Sequence, residues 1–158
     1  MKKFVLFFTI FILLLNSAKA LETEPSALII KTIDGHNFDL KEQKGKVVII
    51  NFWVSWCGNC KAEMVILQEL RNKYSAKDLE IIGVSVDRKK DRDIFTKISA
   101  EINYPNFMLI DAKTNQFGEP SFLPTTYIID KNGDLVNCES DKQDFTKEDF
   151  ERILANIL

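Results

Sequence analysis

The sequence predicts an α/β fold in which a central mixed β-sheet is flanked by helices. Residues 47–54 and 79–86 are near-continuous apolar runs, the pattern of strands that are buried on both faces of a sheet. The segment between them repeats apolar residues at helical spacing. Residues 124–130 are a third strand candidate, and the Asn-Gly turn that follows favours an antiparallel hairpin. The order β-α-β-α-β, then a hairpin and a helix, indicates a mixed sheet.

The chain begins this order with an N-terminal β-hairpin extension. Residues 27–33 and 36–40 are its predicted strands, and Asp34-Gly35 between them is a turn signal. His36 lies beside this turn without a visible partner, so a surface position is expected rather than metal ligation.

Apolar stripes predict the helices. From Cys60, the first stripe contains Met64, Val65, Ile66, Leu67, Leu70 and Tyr74. The charged stretch 87–93 opens an inserted helix–strand segment, whose helix packs through Ile94, Phe95 and Ile98 and whose strand is 107–110. Thr146 has N-cap character, and the last stripe contains Phe150, Ile153, Leu154 and Ile157.

The first twenty residues have the order of a secretory signal peptide. Lys2 and Lys3 precede an apolar run, and Ala18-Lys19-Ala20 ends the segment with small residues two apart. The apolar run is shorter than the roughly 20 residues that span a membrane, so cleavage after Ala20 is expected, with a retained anchor as the alternative. Residues 21–158 then form a single domain, which we expect to be periplasmic and monomeric.

Composition excludes some classes of function. Three of the 21 basic residues and none of the 23 acidic ones fall in the first twenty positions, which leaves 18 basic and 23 acidic residues. A mildly acidic domain without a basic block is a poor candidate for nucleic-acid binding. Three cysteines are too few for a disulfide scaffold.

The motif Trp56-Cys57-Gly58-Asn59-Cys60 follows the first buried strand and opens the first helix. A thiol at a helix N-terminus is stabilised as thiolate, and a second thiol one turn later can form a disulfide with it. Cys57 is therefore the predicted nucleophile and Cys60 the thiol that resolves the mixed disulfide. Half of a zinc site is one alternative, although only Cys138 and His36 could add ligands. An inert structural disulfide is the other.

Two segments resemble the thioredoxin-like family, and within it the exported thiol-disulfide oxidoreductases of the TlpA and ResA type. They are residues 45–57, which end at the first thiol, and residues 124–133, which begin with Pro-Thr-Thr. The resemblance implies a thioredoxin fold and an enzyme that needs no cofactor beyond its Cys57–Cys60 disulfide. It also implies that Pro124 is a cis-proline facing the dithiol and that the backbone of Leu123 pairs with a substrate strand. Trp56 is expected beside the dithiol, and Trp56, Leu123 and Pro124 are the predicted substrate-binding residues.

The same resemblance gives Glu63 a role. It matches a partly buried glutamate that could accept the proton of Cys60, whereas a solvated first-turn Glu is the alternative. Asn51 stands where thioredoxin has a buried acid. Trp53 is expected under the dithiol or simply in the core. Asn59 departs from relatives that carry Pro before the second Cys, which leaves the redox potential open.

The resulting hypothesis is reduction of disulfides in exported proteins, such as apocytochrome c. The resemblance implies that a membrane thiol transporter of the DsbD or CcdA kind donates electrons to the enzyme. A disulfide-donating oxidase, a peroxidase, a copper-delivery protein and an inert interaction domain are alternatives. Val54 stands where peroxiredoxins have Thr, which disfavours the peroxidase. Cys138 is predicted to be a buried apolar side chain, with dimerisation as its alternative.

Overall fold

The computed structural model describes residues 27–31, 37–136 and 145–158. The predicted signal peptide, the Asp34-Gly35 turn, His36 and Cys138 lie outside these residues. In the described part, no helix is long and apolar enough to cross a membrane.

Within the described ranges, the elements are seven strands and three helices. The strands are β1 (Leu28–Lys31), β2 (Asn37–Asp39), β3 (Val47–Trp53), β4 (Leu79–Ser85), β5 (Asn106–Met108), β6 (Ala112–Asn115) and β7 (Thr125–Ile129). The helices are α1 (Gly58–Lys73), α2 (Arg92–Ser99) and α3 (Lys147–Ile157).

The strands form two sheets. The central sheet has the order β5-β4-β3-β7, with β3 parallel to β4 and antiparallel to β7, so the predicted mixed sheet is confirmed. The N-terminal hairpin β1–β2 is also present, but it joins β6 in a separate three-stranded sheet.

Every residue of β3 is buried, as its continuous apolar run predicts. Val47 and Ile49 pack in one core cluster with Leu67 of α1 and Phe150 of α3. Alternate residues of the strand, such as Ile50, pack in a second cluster with side chains of the N-terminal hairpin. Helix α1 therefore follows a strand that is packed on both faces.

Four local predictions were wrong or incomplete. Val65 and Ile94 are 55% and 46% exposed, because each lies beside its helix stripe rather than within it. Residues 109–110 belong to a single 3₁₀ turn rather than a strand. Strand β6 was missed, because its sequence Ala-Lys-Thr-Asn has no apolar alternation and its register against β1 is irregular.

The predicted N-cap of the last helix is confirmed. Thr146 caps α3 through a capping box with Asp149, in which each side chain bonds the other residue's backbone N–H. The return of the last hairpin is described only as far as Val136, and Leu135 makes an isolated antiparallel bridge to Ile129.

Candidate active site

Cys57 and Cys60 are joined in a disulfide at the N-terminus of α1, with Cα atoms 5.3 Å apart. Cys57 is the N-cap residue, and its Sγ accepts a hydrogen bond of 3.1 Å from the backbone N–H of Cys60. A helix N-terminus with a donor in this position stabilises a thiolate.

The two cysteines differ in their exposure to solvent. Cys60 is fully buried, whereas Cys57 is 8% exposed and lies between the exposed residues Trp56 and Gly58. A Cβ added to Gly58 would meet nothing within 4 Å, so the tip of the turn is open. Cys57 also lines a groove that does not include Cys60, so an incoming disulfide can approach Cys57 more readily.

A groove of about 540 Å³ adjoins Cys57. Trp56, 80% exposed, lines one part of it, and Leu123 lines another. Leu123 also packs against the apolar cluster that contains both cysteines. The Leu123–Pro124 peptide bond is cis, as the resemblance implied, and Pro124 is buried. Within the described ranges, the backbone of Leu123 makes no hydrogen bond.

A buried polar cluster lies on the inner side of the helix. Glu63 is only 4% exposed, which rules out the solvated alternative. Its Oε1 accepts a hydrogen bond of 3.1 Å from Asn51 Nδ2 and another from the hydroxyl of Thr126. Asn51 Nδ2 also donates to Thr126 Oγ1 at 3.0 Å. Sequence reasoning missed Thr126, although its position two residues after Pro124 on a strand was a usable signal.

Tyr104 belongs to the surroundings of this cluster. Burial raises the pKa of its phenol, and the negative charge of Glu63 raises it further. Among the residues that the structure describes, its hydroxyl has no hydrogen-bond partner.

Trp53 packs against the dithiol in the interior of the protein. It is buried with Cys57 and Cys60 in one cluster and stacks on Phe95 with ring centroids 5.9 Å apart. Its Nε1 donates to Asn106 Oδ1 at 3.1 Å. Gly83 makes this contact feasible, because a Cβ there would lie 1.9 Å from the same oxygen. Trp53 therefore packs against the dithiol and also fills the core, which were the two positions expected from the sequence.

A second polar cluster, missed in the sequence, ties the turn before Cys57 to the end of β4. Asp87 is buried, and its carboxylate accepts hydrogen bonds from the backbone N–H and the hydroxyl of Ser55 and from the hydroxyl of Ser85. The signal was weak, because a single Asp after a strand is common.

Comparison with known proteins identifies the relatives of this fold and dithiol. A family model described as the AhpC/TSA family matches residues 18–137. The chain belongs to this family. The thiol-disulfide oxidoreductase ResA of Bacillus cereus is 34% identical over 136 residues, which cover 85% of this chain and 76% of that protein.

Solved structures agree on the fold. A thiol:disulfide interchange protein of the thioredoxin family from Chlorobium tepidum superposes with a TM-score of 0.64 at 22% identity, covering 89% of this chain and 99% of that chain. The exposed lipoprotein thioredoxin of Streptococcus pneumoniae gives a TM-score of 0.61 at 26% identity, covering 82% and 98%. The chain is a thiol-disulfide oxidoreductase with a thioredoxin-like fold, as its dithiol and flanking motifs predicted.

Proposed function

We propose that this protein reduces disulfides of exported proteins through the Cys57–Cys60 pair. The Cys57 thiolate attacks one sulfur of a substrate disulfide, and the other sulfur leaves as a thiolate. Cys60 then loses its proton and attacks Cys57, which releases the second substrate sulfur. The substrate gains two electrons and two protons, and the enzyme is left with its own disulfide.

The different positions of the two cysteines carry this proposal, since Cys57 lines the groove and Cys60 is fully buried. An accessible first thiol favours intermolecular attack, and a fully buried second thiol favours intramolecular resolution over side reactions with other thiols. A peroxidase would also use one accessible thiol. Val54, in place of the peroxiredoxin Thr, and a partner thiol only three residues away both favour disulfide exchange.

Glu63 is the proposed proton acceptor for Cys60. It lies three residues after Cys60, one turn further along the same helix face. Its hydrogen bonds to Asn51 and Thr126 fix the carboxylate inside the protein, where water cannot compete for the proton.

The groove beside Cys57 is the proposed binding site for the substrate chain. Trp56 offers an exposed aromatic face at the groove. The free backbone of Leu123, which precedes the buried Pro124, can pair with an extended segment as an added strand.

The location and partners extend the same proposal. The leader-like first twenty residues support export to the periplasm, and the similarity to an exposed lipoprotein thioredoxin agrees with a site outside the cytoplasm. In an oxidising compartment, reduction requires a supplied electron source. A membrane thiol transporter of the DsbD or CcdA kind would supply it, and apocytochrome c is a candidate substrate.

Trapping tests this function. Cys60→Ser keeps the attacking thiol and removes the resolving one, so mixed disulfides should accumulate in the producing cell and identify the partners. The double variant Cys57→Ser/Cys60→Ser is the matched control and should trap nothing. Exported disulfide proteins together with a membrane thiol transporter would support the proposal. Capture of a quinone-linked oxidase instead would show that the enzyme donates disulfides.

A further inference from the structure

Asp87 connects the two chain segments that border the dithiol groove. Its carboxylate accepts from the N–H of Ser55 at 3.0 Å, from the hydroxyl of Ser55 at 2.8 Å and from the hydroxyl of Ser85 at 2.7 Å. Its own N–H donates to Ser85 Oγ at 3.0 Å. Just before it, Val86 N–H donates to the carbonyl of Trp53 at 2.9 Å, which continues the pairing of the two segments.

These bonds hold the turn that presents Cys57. Ser55 is two residues before Cys57, and the turn closes through a hydrogen bond of 3.1 Å from Cys57 N–H to the carbonyl of Val54. Cα atoms two residues apart are separated by at most about 7.6 Å. The Asp87 carboxylate, which bonds Ser55, is therefore near Cys57. Asp87 and Cys57 both line the groove.

The carboxylate is only 5% exposed, so water screens its charge poorly. The groove also contains the charged side chains of Arg88, Asp91 and Glu119. The N-terminal part of α1 adds Lys61, which is exposed, and Glu63, which is buried. Among the carboxylates of the groove, Asp87 is the one that bonds the turn carrying Cys57.

We propose that Asp87 is a positioning residue for disulfide exchange, which holds the Cys57 turn and whose buried negative charge makes the reduced dithiol a stronger reductant. The inference rests on the proposed reduction at this dithiol. Reduction breaks the Cys57–Cys60 bond and adds two electrons and two protons. A negative charge nearby destabilises the Cys57 thiolate, and a less stable reduced form gives up its electrons more readily.

Equilibration with mixtures of reduced and oxidised glutathione tests this inference, with the two forms separated after alkylation. Asp87→Asn removes the charge with little change of shape. We expect its equilibrium to shift toward the dithiol form by about threefold to tenfold, and the pKa of Cys57, read from alkylation rate against pH, to fall. Asp93→Asn is the matched control, because it removes an exposed Asp outside the groove, and it should stay within about twofold of the wild type.

Two further variants distinguish the effect of the Asp87 charge from the effect of its hydrogen bonds to Ser55, and from misfolding. Ser55→Ala removes a tether and keeps the charge, so its equilibrium should move less than that of Asp87→Asn. Asp87→Ser removes the same charge with a smaller side chain that keeps a polar hydroxyl, and it decides the matter if Asp87→Asn does not fold. An unchanged equilibrium in the folded neutral variant, a shift toward the disulfide, or an equal shift in Ser55→Ala would overturn the inference. Insulin reduction by the wild type, run alongside, tests the proposed function independently.

Discussion

The two sides of the dithiol differ more than its short sequence implies. On the outer side, Cys57 lies next to the 80% exposed Trp56 and opens onto the groove. On the inner side, Cys60 is fully buried and Glu63 is 4% exposed. Cys57 and Cys60 are only three residues apart, yet one lies at the surface groove and the other in the interior.

Under the proposed mechanism, the two chemical steps take place in these two environments. The outer side needs access and a stabilised thiolate, which the helix N-terminus supplies. On the inner side, the proposed mechanism needs a group that takes a proton without admitting water or a competing thiol, and we propose this role for the Glu63 carboxylate, which accepts hydrogen bonds from Asn51 and Thr126. Each prediction below changes one side and leaves the other intact.

Serine replacement of each thiol should have the largest effect. Cys57→Ser removes the accessible nucleophile, so we expect insulin reduction to fall by about 100-fold or more. Cys60→Ser should still form the mixed disulfide with a model substrate and then stop. Alkylation and mass measurement of the products distinguish the two outcomes. Efficient attack by the Cys57→Ser variant through Cys60 would contradict the division between the two sides.

The two tryptophans provide a matched pair for stability. Trp53 is 1% exposed and Trp56 is 80% exposed. Trp53→Ala leaves a cavity below the dithiol and should lower the free energy of unfolding by about 3–5 kcal/mol. Trp56→Ala should change it by less than about 0.5 kcal/mol and instead raise the KM for a peptide disulfide. Urea unfolding and steady-state kinetics measure these effects, and a stability loss of similar size in both variants would contradict the comparison.

Glu63→Gln tests the inner side alone. The amide keeps the size and an acceptor for Thr126 but takes up a proton poorly, so resolution by Cys60 should slow by about tenfold or more. Attack by Cys57 should stay within about twofold, because the outer environment is unchanged. Stopped-flow kinetics of a fluorescent disulfide substrate separates the steps. Glu69→Gln, at an exposed position paired with Lys147, is the control and should slow neither step. Equal slowing of both steps would indicate a general structural defect.

The central strands and the position of the dithiol were largely predictable from the sequence. Apolar continuity identified β3 and β4, and the spacing of Cys57 and Cys60 placed both thiols at the start of a helix. These features depend on neighbouring residues, which a linear sequence displays directly. The cis bond before Pro124 came only through resemblance, since an isolated X-Pro bond is usually trans.

The inner cluster and the Asp87 cluster were less predictable because their partners are distant in the chain. Thr126 and Glu63 are 63 positions apart, and Ser55 and Asp87 are 32 apart. Strand register decides such contacts, and a shift of one residue would point Thr126 to the opposite face. Strand β6 was missed for a related reason, because its pairing with β1 rather than its own sequence makes it a strand.

Tyr104 provides the smallest and most selective test of the inner side. Burial, and then the charge of Glu63, raise the pKa of its phenol above the ordinary value of 10.0. Folding therefore favours the neutral phenol. Its contribution to stability is complete below about pH 10, the unfolded value, and is lost as the pH rises toward the folded value.

Tyr104→Phe removes this titration together with a hydroxyl that has no partner among the described residues. We expect the free energy of unfolding near pH 7 to stay equal or rise by up to about 1 kcal/mol, since the lost group was buried without a hydrogen bond. Between roughly pH 10 and 12 the variant should lose less stability than the wild type. Glu63→Gln should also lessen the alkaline loss, because one cause of the raised pKa is gone. Chemical unfolding across this range measures both effects, and an alkaline loss as steep in Tyr104→Phe as in the wild type would assign the sensitivity to groups outside the inner cluster.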